Sequence, residues 1–76
     1  MEFCLDQLCP GNWATVKDLN VSEELKQRLR DLGMIPGTKV CCRYRSPRGD
    51  VTALEFRGTV LALRTRDLRK IRVRRG

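Results

Sequence analysis

The sequence predicts a mainly β domain: a small barrel of about five short strands, closed or half closed, with one α-helix inserted after the first strand. Two patterns carry that prediction. Segments of strand length alternate apolar and polar residues between tight turn residues, and only one stretch switches to helical spacing. Length adds a third constraint, since 76 residues allow one domain with a single modest core.

The chain opens with Leu5 and Leu8 around Asp6-Gln7, read as one turn stopped by Pro10-Gly11. Trp13 to Leu19 forms the first strand, with Ala14 and Val16 on one face and Thr15 and Lys17 on the other. In the helix that follows, Val21, Leu25, Leu29 and Leu32 recur at helical spacing among Glu23, Glu24, Lys26, Arg28 and Arg30. Asn20 or Ser22 caps its start, and Asn20 with Glu23 fits a capping box. Gly33 stands where a helix ends in a left-handed residue. Met34 and Ile35 then fold back, and Pro36-Gly37 supplies a type II turn. Thr38 to Arg45 is the second strand, with Val40, Cys42 and Tyr44 sharing the core face. After the Ser46–Asp50 loop, Val51 to Arg57 is the third, with Leu54 and Phe56 inward and Glu55 outward. Arg57-Gly58-Thr59 reverses the chain into a fourth strand, Val60 to Arg64. Thr65 caps a single helical turn to Leu68, Ile71 and Val73 mark the last strand, and Arg74-Arg75-Gly76 is a basic tail.

Sixteen Lys and Arg against nine Asp and Glu give a formal charge of +7. It is unevenly placed: residues 43–76 hold eleven basic and three acidic side chains, a local +8. Such a half fits nucleic acid, an anionic membrane surface or an acidic protein partner. No apolar run reaches the ~18–20 residues that span a bilayer, so direct membrane insertion is not expected. MEFCLDQLCPG lacks the basic start and apolar segment of a secretory signal, which places the chain in the cytoplasm with reduced thiols. Cys4 and Cys9 stand at the edge of zinc-ligand spacing, while Cys41 and Cys42 point to opposite faces of one strand. With no histidine, the expectation is no protein-built metal site and no cofactor. Catalysis has no foothold either. There is no glycine-rich phosphate loop or nucleophile elbow, and Asp18, Asp31, Asp50, Glu55 and Asp67 are scattered. Arg48-Gly49-Asp50 is turn chemistry in a cytosolic loop.

Several stretches together match a family pattern. They are Leu5-Asp6-Gln7-Leu8-Cys9-Pro10-Gly11, Ala14-Thr15-Val16, and Arg28-Leu29-Arg30-Asp31-Leu32-Gly33-Met34-Ile35-Pro36-Gly37-Thr38. The Pro47–Asp50 loop, Leu61-Ala62-Leu63-Arg64 and the closing Asp67-Leu68-Arg69-Lys70-Ile71-Arg72-Val73 continue it. In these segments the chain resembles the FeoA family, ferrous iron transport protein A, and Leu32 to Gly37 is the most specific part. The resemblance implies an SH3-like β-barrel with an inserted helix. It also implies a cytosolic, non-enzymatic accessory to FeoB, the bacterial membrane transporter of ferrous iron with a cytoplasmic GTPase domain. Related domains end iron-dependent repressors of the diphtheria-toxin-repressor type. The four cysteines and the strength of the basic charge depart from the family pattern.

Two function classes follow. In the first, the module docks on the cytoplasmic domain of FeoB. Met34 and Ile35 on the turn, with Val60 and Ala62 on the outward face of the fourth strand, form an apolar patch rimmed by Arg28, Arg64 and Arg66. Met34 has the competing reading of a core residue, because methionine serves both uses. In the second, a basic small barrel binds nucleic acid through Arg43, Arg45, Arg57, Arg64, Arg72 and Arg74. That class is the weaker one, because stacking needs exposed rings and alternation sends Tyr44 and Phe56 to the core. Self-association is left open by both.

Overall fold

Every segment expected to be a strand is one in the computed structural model, which describes residues 1–75. A further strand precedes them. The elements are β1 (Glu2–Cys4), β2 (Trp13–Leu19), α1 (Glu23–Leu32), β3 (Lys39–Arg45), β4 (Val51–Phe56), β5 (Thr59–Arg64), the one-turn α2 (Thr65–Leu68) and β6 (Ile71–Arg75). A 3₁₀ turn, Leu5–Gln7, joins β1 to the Pro10-Gly11 bend. Arg74 and Arg75, expected as a tail, belong to β6, and the Arg75 guanidinium lies 5.8 Å from the centre of the Phe3 ring. Gly76 lies outside the described residues.

The six strands form one antiparallel sheet in the order β1-β6-β2-β3-β4-β5. The expected barrel is not closed. β1 is only three residues long and spends its one ladder on β6, so among the described residues β5 is left without a second neighbour. The inner faces of β2 to β6 still share one core, in which Ala14, Val16, Val40, Leu54, Phe56 and Val73 are at most 2% exposed.

Local chemistry sets the helix ends. Ser22 is the cap, accepting the Leu25 N–H on its Oγ at 3.3 Å. The Asn20–Glu23 capping box is not made, because the Asn20 N–H is spent on the Lys70 carbonyl at 2.8 Å. At the other end Gly33 takes φ 103°, its N–H reaches the Arg30 carbonyl, and the Met34 N–H reaches Leu29 at 2.8 Å. This is a Schellman stop, in which the residue after the glycine packs back on the helix. Met34 is therefore core, 1% exposed beside Leu29 in the buried cluster. That corrects its placement in a docking patch. It also explains why Leu32, expected to be buried, is exposed: Met34 fills the inner place at that end of α1. Pro36-Gly37 makes the expected turn, closed by the Thr38 N–H on the Ile35 carbonyl at 3.0 Å, with Gly37 at φ 95°.

Two bulges change which residues face inward. In β2 the register with β6 shifts between Val16 and Asp18, so Leu19 rather than Asp18 is buried. In β3 the register with β4 shifts between Cys42 and Tyr44. Tyr44 therefore lies opposite outward-facing Ala53 and is 58% exposed, against the expectation that it packs with Val40 and Cys42. Arg45 moves inward in its place. Its Nη2 donates to the carbonyls of Asp6 and Leu8 at 2.8 and 2.9 Å, and its Nε to Thr52 Oγ1 at 3.4 Å. The β4–β5 hairpin has no shift, and its two-residue turn holds Arg57 at φ 50° and Gly58 at φ 77°.

Candidate functional site

The outer face of β2 to β5 carries the largest group of side chains the core does not use. Trp13 on β2 pairs across to Cys41, which pairs to Glu55 and on to Val60 at the free end of the sheet. A second row runs Tyr44, Ala53, Ala62, and a third begins at Val51 opposite Arg64. Trp13 is 49% exposed and Val60 63%, and Val51 is exposed with them. Cys41 is buried among these neighbours and Cys42 faces the core, so the two thiols take opposite faces as expected. Arg43, bulged out of β3, pairs with Glu55 at 3.3 Å at the middle of this face.

At the Val51–Arg64 end the face meets a basic cleft of about 540 Å³, lined among others by Arg48, Arg64, Arg66 and Arg69. The β3–β4 loop supplies one wall and the β5–α2 junction the other. They are tied by the Thr65 N–H on the Asp50 carbonyl at 2.9 Å and by the Thr65 hydroxyl on the Gly49 carbonyl. Thr65, expected as a helix cap, is the first residue of α2 and makes this tie instead. Arg69 pairs with Asp6 at 3.6 Å, while Arg48, Arg64 and Arg66 have no ion-pair partner among the described residues.

The expected docking residues are divided by the structure. Val60, Ala62 and Arg64 lie together on the outer face of β5, with Arg66 just beyond in the cleft. Ile35 is 39% exposed but lines a different groove, of about 250 Å³, with Asp18, Lys26, Arg30 and the edge of buried Met34. Arg28 is exposed on α1 and lines neither. The turn residues Gly33, Pro36 and Gly37 do structural work in the helix stop and the turn, and of the three Pro36 lines that groove. Tyr44 was missed as a surface residue, because the extra residue in β3 has no marker in the sequence. Trp13, expected at a strand edge, is outward as the alternation of Ala14 and Val16 requires.

Burial pushes the Cys42 thiol above its ordinary pKa, with the nearby Arg45 charge opposing. A hydrogen bond from Lys17, then its charge, holds the Glu2 carboxyl below the ordinary range. Among the described residues no three His, Cys, Asp or Glu side chains gather where a metal could sit, and no helix is long and apolar enough to cross a membrane.

The family model for the FeoA domain matches residues 3–75. The structure is similar to the FeoA protein from Chlorobium tepidum, at a TM-score of 0.91 and 28% identity, covering 95% of this chain and 69% of that one. It is similar to iron(II) transport protein A from Clostridium thermocellum, at 0.86 and 32%, covering 95% of this chain but only 44% of the other. Stenotrophomonas maltophilia FeoA complexed with zinc, described as a prokaryotic SH3 domain protein, shares the fold at 0.78 and 23%, covering 97% and 99%. A manganese-dependent transcriptional repressor shares it at 0.86 and 12%, and there the match spans 42% of the repressor. No curated protein sequence matches.

Proposed function

The chain belongs to the FeoA domain family, and on that premise we propose that it is a cytoplasmic, non-enzymatic accessory of bacterial ferrous iron transport that binds and regulates the cytoplasmic domain of FeoB. The observation that carries this reading is the outer sheet face. It exposes Trp13, Tyr44, Val51 and Val60 together, beside arginines without carboxylate partners. Exposed aromatic and aliphatic side chains around the Arg43–Glu55 pair fit a protein interface on a small monomer, and aromatic residues are the commonest anchors there. The cleft arginines steer the approach of an acidic surface. Ile35 and Arg28 lie on other surfaces and serve as secondary contacts in this reading.

The test is titration of the purified cytoplasmic domain of FeoB with the wild-type chain and with Tyr44→Asp. Tyr44 is mostly exposed, so the variant should keep its melting temperature while affinity falls at least about tenfold, the size of a modest hot spot. Arg64→Glu should slow association and flatten its dependence on salt. A FeoB domain that does not bind, or that binds Tyr44→Asp as well as wild type, overturns the proposal.

Exposure of Trp13 and Tyr44 on one face also favours a second reading, single-stranded nucleic acid stacked on those rings. The arginines argue against it. Arg45 is committed to two backbone carbonyls, Arg72 faces Glu2 at 3.7 Å, and Arg57 lies over Gly33, 2.8 Å from where a Cβ would stand. Failure to bind mixed-sequence single strands at low salt removes this second reading.

A further inference from the structure

The two ends of the sheet are treated differently. β1 is three residues long, and its Glu2 carboxylate pairs with Lys17 at 3.2 Å and with Arg72 at 3.7 Å. β5 is six residues long and has few of the usual guards of an edge strand, its one charge, Arg64, standing at its last residue. It contains no proline and no lysine, and its register with β4 runs without a bulge from Phe56↔Thr59 to Val51↔Arg64. In a two-residue hairpin the pair beside the turn is the hydrogen-bonded one, and the pattern alternates from there. Thr59, Leu61 and Leu63 thus bond to β4, while the N–H and C=O groups of Val60 and Ala62 point away from the sheet. Among the described residues β5 has no second neighbour to receive them. Beside these groups the exposed side chains are small and apolar, so nothing bulky shields the edge.

The strand also runs directly into the basic cleft, since Arg64 both ends β5 and lines it. Arg48, Arg64 and Arg66 have no ion-pair partner there among the described residues, and Asp50, the carboxylate on the wall, accepts the Ser46 hydroxyl at 2.8 Å. A row of unsatisfied backbone groups is thus continuous with a cluster of unpaired guanidiniums.

We propose that β5 receives an extended acidic peptide segment, which adds to the sheet as a seventh strand and sets carboxylates on Arg48, Arg64 and Arg66. Main-chain hydrogen bonds to Val60 and Ala62 hold the segment, and the arginines select its charge. This rests on the protein-docking reading above and names the form of the docked element. A second copy of the chain is the poorer occupant, because each copy carries a formal +7 and neither offers an acidic strand.

The probe is a blocked eight-residue peptide alternating valine and glutamate, compared with the same peptide carrying glutamine in place of glutamate. Backbone amide shifts read the site, and the cytoplasmic domain of FeoB is titrated in parallel. Ala62→Pro removes an edge-facing donor without removing a bond to β4. Val60→Lys adds the missing guard and serves if the proline variant melts early. The expected result is shifts centred on Val60, Ala62 and Arg64, with affinity for the glutamate peptide at least about tenfold above the glutamine peptide and lost by a similar factor in both variants. Equal binding of the two peptides, or unchanged binding to Val60→Lys, overturns the proposal. So does a dimer by sedimentation that Val60→Lys dissociates, since the second copy would then own the edge. If FeoB binding falls in Tyr44→Asp but not in Ala62→Pro or Val60→Lys, the strand-addition inference fails and the transporter reading stands. If the peptide binds β5 and FeoB does not bind at all, the reverse holds.

Discussion

Arg45→Met tests the most consequential interaction that the β3 bulge creates. The substitution keeps the aliphatic stem and removes the guanidinium that ties β3 to the 3₁₀ turn through the Asp6 and Leu8 carbonyls at 2.8 and 2.9 Å. Hydrogen bonds with a charged partner contribute about 1.5–3 kcal/mol each. The site is half buried and water can partly replace them, so the lower figure applies to each, about 3 kcal/mol in all. At about 4–8 °C per kcal/mol for a domain of this size, the melting temperature should fall by about 12–24 °C. Arg45→Lys should recover less than half of that, because one ammonium on a flexible stem does not reproduce a planar fork spanning two carbonyls and Thr52. Thermal and urea unfolding followed by circular dichroism measure both, with an unchanged urea slope showing that the unfolded state is the same. A fall under about 4 °C, or a lysine variant equal to wild type, would show that the clamp carries no net stability.

Further outcomes follow at Met34, Gly33 and Cys42. Met34→Asp places a carboxylate in the core cluster and should cost more than about 4 kcal/mol, enough to unfold a small domain, whereas Met34→Leu should cost less than about 1.5 kcal/mol; both are read by urea titration. Gly33→Val should destabilise by more than about 1 kcal/mol, chiefly through the φ of 103°, and adding Arg57→Ala to clear the 2.8 Å approach should recover only a minor part. The Cys42 pKa is raised in the folded state, so its contribution to stability is whole below the ordinary thiol range and declines as pH rises above about 8.5. Cys42→Ala should remove that slope, and iodoacetamide should label exposed Cys9 long before Cys42 in the native protein. Equal labelling rates would show that Cys42 is not enclosed.

Much of the fold was legible because its signals are local. The stripe of α1, the glycine stop, the Pro-Gly turn and the Arg57-Gly58 reversal each depend on residues within a few positions, and each is where the sequence puts it. The errors of facing within the strands share one cause. Alternation assigns faces by parity, and a bulge flips parity without changing composition. Past the bulged Arg43 the assignments of Tyr44 and Arg45 were therefore inverted, which hid the exposed ring of the one and the clamp of the other. β1 was missed because Glu2–Cys4 is too short to show a period, and Leu19 was reached by a second parity change in β2. Met34 turned on a contact after the helix stop that allows either burial or exposure until the core is built. Of the candidate site, the common surface of Val60, Ala62, Arg64 and Arg66 was legible; its union with Arg48 and Tyr44, and the separation of Arg28 and Ile35 from it, were not.

The unequal edges of the sheet also fix a stoichiometry. Open-ended growth, as in a fibre, needs two different edges on each unit, one to receive and one to be received. Here β1 is short, with its carboxylate spent in ion pairs, while β5 is long and unpaired. Among the described residues the only other edge is β1, whose three residues make a poor template for a further copy. Extension of the sheet through repeated copies of this domain is therefore disfavoured, and a strand added to β5 should give a complex that saturates with ligand. Lengthening β1 would remove that ceiling and convert a terminating module into a polymerising one.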